Sequence, residues 1–297
     1  IPAEDGLTVN LYVAGSYPAA GDIELYPEEK IFIVASAEQL STMAMMVNKG
    51  YTYEGAVVYV TQDLDFSNFA RWTPIGTVTS SAGGVAAAGS CAFKGRFNGQ
   101  FHRFENIRFS QSGDYQALFG YLEGATVENV ILGEGLVSGD GARTAALCSL
   151  MRGSAVRNIE SHLAVTSTAA TDSLNLGLVS LGVSSLIEGC LNYGDLGLAD
   201  SESRQENGGI CGYGFSSTKV NNCFAAGENY GADSETIARA CTVTQSFGLS
   251  ATGAAGTLSW DAFLNGEGAW RLNTASGTAA NTGLWGTAAY GPTLQEE

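Results

Sequence analysis

The apolar residues of this chain fall into short runs that recur behind a fixed polar signature. Phe104-Glu105-Asn106-Ile107 returns as Val127-Glu128-Asn129-Val130, Val156-Arg157-Asn158-Ile159, Ile187-Glu188-Gly189-Cys190 and Val220-Asn221-Asn222-Cys223. Val243-Thr244-Gln245-Ser246-Phe247 reads as one more, worn copy. The leading residues Phe104, Val127, Val156, Ile187 and Val220 stand 23, 29, 31 and 33 residues apart. A constant motif on a drifting period describes a coil of stacked turns that keeps its strands and lengthens its loops. Within a copy Val127 points in, Glu128 points out, and Asn129 resets the alternation so that Val130 and Leu132 point in again. That reset is a bend, and Asn suits it because it tolerates the left-handed backbone conformation, as does Gly189 at the same place. Stacked Asn106, Asn129, Asn158 and Asn222 are expected to form an internal hydrogen-bond ladder. Beside them, Glu105, Glu128, Arg157, Glu188 and Asn221 predict an exposed outer column with Arg157 between two glutamates, each pair worth about 0–1 kcal/mol.

Other elements precede and follow the repeats. Leu7, Val9, Leu11 and Val13 alternate with polar residues as in a half-buried strand. Ile31-Phe32-Ile33-Val34, Val57-Val58-Tyr59-Val60 and Leu64-Asp65-Phe66 read as strands. Ser36-Ala37-Glu38-Gln39 is a capping box, and Leu40, Met43 and Val47 at helical spacing predict a helix over 37–48, a candidate cap for one end. Trp72-Thr73-Pro74-Ile75-Gly76 breaks the pattern, and the Gly/Ala/Ser-rich stretch Ser80–Gly89 reads as a surface loop. An open coil exposes an edge at each end. The aromatic-rich segment Ser259–Asn273, followed by Leu284-Trp285, is the candidate cap for the other.

Composition sharpens this picture. Thirty-nine glycines against five prolines suit many strands joined by tight turns. A net charge of −16 argues against nucleic acid or an anionic membrane surface as partner, and no apolar run approaches the ~20 residues of a membrane helix. No leader is visible at Ile1 and no wall-sorting signal at Glu296-Glu297, so an anchor is expected outside this sequence or not at all. Of the six cysteines, Cys148 and Cys211 align with Phe119 and Val179, and Cys190 and Cys223 with Val130 and Ile159, which marks them as small buried apolar residues. Reduced and buried thiols are expected, although Cys190 and Cys223 on neighbouring turns would be within disulfide reach in an oxidising compartment.

Phe93-Lys94-Gly95-Arg96-Phe97-Asn98-Gly99, Phe104-Glu105-Asn106-Ile107, Ala117-Leu118-Phe119-Gly120-Tyr121-Leu122 and Val127-Glu128-Asn129-Val130 together resemble the GLUG-motif repeats of bacterial surface proteins. The lead-in (Ala35–Leu40, Val47-Asn48-Lys49-Gly50, Asp63-Leu64-Asp65-Phe66, Trp72–Gly76) and the close (Ala269-Trp270-Arg271-Leu272-Asn273) are similar too, so the resemblance spans Ile31 to Leu294. It implies a right-handed parallel β-helix in a secreted or surface-attached protein with adhesion-like roles. Similar repeats also accompany IgA-specific metallopeptidases.

Candidate chemistry is sparse. Asp63 and Asp65 could hold calcium or form an acid/base pair, but the simpler reading is that they accept backbone amides of the first turn near Trp72. His102 and His162, in different turns and without a His-Glu-x-x-His, read as surface or loop residues. No Gly-x-Ser-x-Gly occurs. Glu105, Glu128 and Glu188 could supply a carboxylate pair for glycoside hydrolysis, yet Arg157 makes a salt-bridge ladder the simpler account.

The expectation is therefore an all-β chain: residues 1–30 an N-terminal strand extension or cap, and 31–297 a right-handed parallel β-helix with short helical caps. Functionally it predicts a monomeric, non-enzymatic, extracellular or cell-surface module, adhesin-like, binding a glycan or protein. No catalytic, cofactor or metal residue is assigned, and neither nucleic-acid binding nor membrane insertion is expected. The alternatives are a polysaccharide lyase or hydrolase on the same coil, and a structural spacer of a larger surface protein.

Overall fold

A computed structural model describes residues 24–26, 30–169, 175–197, 207–230, 236–250, 257–273 and 285–295. The chain is a parallel β-solenoid of about six turns. Each complete turn runs along one large sheet, bends at two corners, crosses a loop and returns on a second, four-stranded sheet made by Phe119–Glu123, Ala145–Arg152, Gly177–Val183 and Cys211–Phe215. Successive turns stack in register: Val127 on Val156, Val156 on Ile187, Ile187 on Val220 and Val220 on Val243. Inward residues of all turns merge into one core, rich in Phe near the start (Phe66, Phe93, Phe97, Phe104, Phe109, Phe119) and in Val, Leu, Ile and Cys further on.

The corner residues adopt left-handed backbone conformations, at Asn129 (φ 57°), Asn158 (φ 50°), Gly189 (φ 62°), Asn222 (φ 53°) and Gln245 (φ 48°). The first copy, however, is out of register. Phe97, not Phe104, stacks under Val127, while Phe104 pairs with Leu132 one corner later. The ladder is accordingly Asn129 Nδ2 to Asn98 Oδ1 (3.2 Å) and Asn158 Nδ2 to Asn129 Oδ1 (3.1 Å). Asn106 stands at the other corner and donates to Asp65 Oδ1 (2.8 Å). Beyond Asn158 the column meets Gly189, so Asn158 Oδ1 finds no hydrogen-bond partner, and Asn222 donates instead to the Leu272 carbonyl (2.8 Å). A second series of left-handed corners, Gly124, Gly153, Ser184 and Ser216, closes the four-stranded sheet. There Ser154 Oγ accepts from Ala125 N and Ser185 Oγ from Ser154 N, a hydroxyl ladder the motif did not predict.

Caps differ from one end to the other. The helix spans Ala37–Asn48, with Ser36 Oγ accepting from Gln39 N (3.2 Å), and buries Leu40, Met43, Ala44 and Val47 in the coil's own core within the first turn. Strand Glu24–Tyr26 runs antiparallel along Ile31–Val34 and pairs its edge; Leu7–Val13 lies outside the described residues. The aromatic segment near the C-terminus is not an end cap. Its helical part (Trp260–Asn273) and hairpin (Trp285–Ala288, Gly291–Leu294) lie on the outer face of the large sheet. Phe263, Leu272, Trp285 and Leu294 there cover Ile131, Leu191 and Phe224, which alignment of the turns places in one outward column. Leu284 is outside the described residues.

Glu160 occupies that apolar column, between Ile131 and Leu191, and its side chain is fully buried. It is satisfied by the docked segment: Leu294 N (2.8 Å) and Thr293 Oγ1 (2.9 Å) donate to Oε2, and Tyr290 Oη (3.3 Å) to Oε1. His162 Nε2 lies 2.7 Å from Oε1, its ring stacked on Tyr193 and edge-on to Tyr290. His162 is thus a half-buried strand residue in a structural clasp, contrary to the loop position expected for it. Tyr193 Oη donates to the Pro292 carbonyl (2.7 Å), and burial, aided by Glu160 and Tyr290, raises its phenol well above the ordinary value.

Candidate functional site

The outer column on the large sheet is not an exposed ladder. Glu128 and Glu188 are buried, Asn98 holds the place expected for Glu105, and the side chains pair selectively. Arg96 binds Glu128, while Arg157 Nε (3.4 Å) and Asn221 Nδ2 (3.0 Å) bind Glu188. Glu105, one corner away, pairs with Arg103 (2.6 Å). Glu128 and Glu188 stand two turns apart with Arg157 between them, so they form no facing carboxylate pair.

Asp63 and Asp65 do accept backbone amides, of Arg103 (2.8 Å) and of Ser67 (2.9 Å), whose neighbour Phe66 packs on the Trp72 ring. Trp72 itself donates to the Leu118 carbonyl (3.0 Å). Asn106 and Ser67 hydrogen bonds hold the Asp65 carboxyl below its ordinary range. His102 Nδ1 lies 3.3 Å from Asp63, at the start of a strand that lies two turns before that of His162 on the same sheet. Among the described residues, no group of three or more His, Cys, Asp or Glu side chains is arranged to hold a metal ion.

A concave surface forms elsewhere, on the outer face of the four-stranded sheet. Register stacks Tyr121, Leu150, Leu181 and Tyr213 in one outward column, and Glu123, Arg152, Val183 and Phe215 in the next. These strands are apolar on both faces: Ala145–Met151 and Leu178–Val183 are near-continuous apolar runs, the sequence mark of a sheet covered on both sides. That signal could have located the site. The cover is the stretch expected as a loop: Ser81-Ala82 and Val85-Ala86 pair as a hairpin. Gly84 (φ +78°) presses so closely on the sheet that a Cβ there would lie 2.4 Å from Val183 Cγ2.

Where hairpin and sheet part, two adjoining cavities open. One, about 190 Å³, is lined by Ser81, Gly84, Arg143, Leu181, Tyr213 and Phe215. Its neighbour, about 360 Å³, shares Ser81 and Arg143 and adds Thr79, Asp114 and Tyr115. The Tyr213 and Phe215 rings sit 4.8 Å apart, both partly exposed. Arg143 lies over the Tyr115 ring (5.4 Å), donates one N–H to Asp114 (3.2 Å), and keeps its Nε without a partner. Tyr115 donates to Ser81 Oγ (2.7 Å), tying hairpin to loop. Aromatic faces beside a small number of fixed polar groups are what a small-molecule or saccharide site requires.

Charge at the groove's rim anchors its strands. Lys94 Nζ (2.9 Å) and Tyr121 Oη (3.1 Å) contact Glu123, and the Lys94 hydrogen bond chiefly holds the Glu123 carboxyl below its ordinary value of 4.5. Burial raises the Tyr121 phenol to about 12. Because the folded carboxyl is the more acidic, its stabilisation is present above pH 4.5 and is lost as pH falls through the lower, folded value. Glu123→Gln is expected to lower the melting temperature at pH 7, with a deficit that shrinks as pH falls below 4.5; a deficit independent of pH would contradict this.

No family model matches the chain, and no curated protein sequence does. Among solved structures, the crystal structure of a "putative immunoglobulin A1 protease from Bacteroides ovatus" is similar at 15% identity and a TM-score of 0.58, over 90% of this chain and 93% of that one. The likeness is one of fold: two chains of nearly equal extent wound on the same solenoid plan.

Proposed function

We propose that this chain is a non-enzymatic module of a secreted or cell-surface bacterial protein, adhesin-like, that binds a glycan in the groove between the Ser81–Ala86 hairpin and the four-stranded sheet. The observation that carries the reading is the pairing of partly exposed Tyr213 and Phe215 with Arg143 and Ser81 in one concavity on a rigid sheet. Sugar rings offer apolar C–H faces for the aromatics and hydroxyls for the guanidinium and serine. A stacked coil also keeps such a surface preorganised, which reduces the entropy lost on binding. The carboxylates considered for hydrolysis are engaged by Arg96, Arg157 and Asn221, which favours binding over catalysis.

A glycan array probed with the full chain tests this. Binding of a defined saccharide class is expected, with Tyr213→Ala weakening it at least tenfold, about 1.4 kcal/mol. Gly84→Val should weaken it similarly by lifting the hairpin, since valine fits neither the positive φ nor the space against Val183. A silent array would favour the spacer. Incubation with immunoglobulin A1 and with mucosal and plant polysaccharides should leave each intact; cleavage of any of them, lost on changing Glu128 or Asp63, would replace this reading with an enzymatic one.

A further inference from the structure

A cavity of about 410 Å³ opens on the outer face of the large sheet, lined by Arg71, Ser110, Ser138, Asp140, Thr166 and Thr168. Register stacks Ser110, Ser138 and Thr166 on successive turns, while their neighbours Phe109, Val137 and Val165 point into the core. Ser110 N donates to the Ala70 carbonyl (3.4 Å), so Arg71 belongs to the turn before and heads the column. With rungs about 4.8 Å apart, Arg71 and Thr166 stand roughly 14 Å from each other along the coil. Ser138 Oγ donates to the Phe109 carbonyl (3.2 Å) and Thr168 Oγ1 to the Gly139 carbonyl (3.4 Å), which fixes both hydroxyls. Among the described residues, the hydroxyls of Ser110 and Thr166 and the guanidinium of Arg71 have no partner. Arg96, Arg103, Arg143, Arg152 and Arg157 each bind a carboxylate. Arg71 does not, nor does exposed Arg108, two residues before Ser110 on the same face. Ser112 and Asp140 line this cavity whereas Asp114 and Arg143 line the groove, so their loops form a ridge between the two.

We propose that this cavity is a second binding site, independent of the groove, for a saccharide bearing a carboxylate or a sulfate: the anionic group sits on Arg71 and the ring hydroxyls on Ser110, Ser138 and Thr166. Its lining carries no aromatic side chain, so a sugar gains no stacking there and all its affinity comes from polar contacts. A neutral hydrogen bond barely improves on one to water, whereas a guanidinium grips a planar or tetrahedral anion with two parallel charge-assisted bonds. Each hydroxyl both donates and accepts, which suits the mixed hydroxyls of a sugar ring. On a chain of net charge −16, two guanidinia without carboxylate partners make this a local site for a negative group. Asp140 fixes the polarity of the bound sugar. Its Oδ1 accepts from Gly113 N (2.6 Å) two turns from Arg71, about 10 Å along the coil, so the anion is held at the Arg71 end and kept from the other.

Titration calorimetry of the full chain with glucuronate, glucose 6-sulfate, glucose and sodium sulfate tests the assignment. At least one of the two acidic sugars should bind roughly tenfold more tightly than glucose, and the tighter of them tells carboxylate from sulfate. Sodium sulfate alone should bind more weakly than the acidic sugar, because it leaves the hydroxyl column unused. Arg71→Gln should abolish the preference over glucose, and Thr166→Val should weaken the acidic sugar while leaving sodium sulfate unchanged. Tyr213→Ala should change none of these values, which separates this site from the groove. Equal affinity for glucose, no binding of either acidic sugar, sodium sulfate binding as tightly as the sugar, or a loss caused by Tyr213→Ala and not by Arg71→Gln would each overturn the proposal.

Discussion

Replacing Glu160 with alanine is expected to release the C-terminal segment from the side of the coil while leaving the coil itself folded. The Glu160 carboxylate is the shared acceptor for Leu294 N, Thr293 Oγ1 and Tyr290 Oη, all contributed by the docked hairpin. It sits where register otherwise calls for an apolar residue, so desolvation has already been imposed on it and only its partners offset that cost. Removing it leaves the buried Leu294 N–H without an acceptor and takes one hydrogen bond each from the Thr293 and Tyr290 hydroxyls, which keep each other and the Leu294 carbonyl as partners, together about 3 kcal/mol of docking free energy. Glu160→Gln keeps the shape and one acceptor and should lose roughly half as much. Hydrogen exchange would read this directly, with protection in 285–295 falling by about a hundredfold in Glu160→Ala and that of 126–165 unchanged. Loss of protection throughout the coil would instead make the segment an integral part of the fold.

The second large effect is at Asn129. This residue satisfies two demands at once: a left-handed corner (φ 57°) and a ladder position bonded to Asn98 below and Asn158 above. Asn129→Val opposes both, since a β-branched residue is strained in that conformation and both side-chain bonds vanish. About 3 kcal/mol is expected, of which roughly 1–2 is backbone strain and the rest the two hydrogen bonds. Asn129→Gly separates the terms. It accepts the conformation and loses the ladder alone, so its cost should be about half that of valine in urea denaturation. Equal costs would mean that the corner conformation contributes nothing.

How much of this was legible follows from which constraints are local. The bend at Asn129, Asn158, Gly189 and Asn222 was readable because the left-handed conformation restricts residue type at one position. The capping box at Ser36 and Gln39 was readable for the same reason, and the helix runs over Ala37–Asn48 as expected. The first copy was misregistered because a turn has more than one such corner. At the Asn98–Phe101 corner the left-handed residues are Gln100 and Phe101, so the Asn signal passes to Asn106 at the next one. The cysteine alignment survived, with Phe119, Cys148, Val179 and Cys211 stacked in one column, because inward positions tolerate only small or apolar groups.

Long-range surfaces were less legible. Phe263 and Leu272 announce burial but not the surface they are buried against, and the side of the coil offered as good an apolar partner as its end. The Ser80–Gly89 stretch has loop composition because its role is close approach, for which Gly84 needs no side chain. The groove depended on residues from four turns and a hairpin, and nothing near Tyr213 or Phe215 in sequence reveals Arg143 or Ser81 beside them.

The stacking register underlies the ladder, the outer columns and the floor of the groove, and a pair of double-mutant cycles measures it. Asn98→Ala combined with Asn129→Gly should show a coupling of about 0.5–1 kcal/mol in urea denaturation, because the two side chains share a hydrogen bond. Asn106→Ala combined with Asn129→Gly should be additive, because these residues occupy different corners. Coupling between Asn106 and Asn129, with none between Asn98 and Asn129, would contradict the register and the architecture built on it.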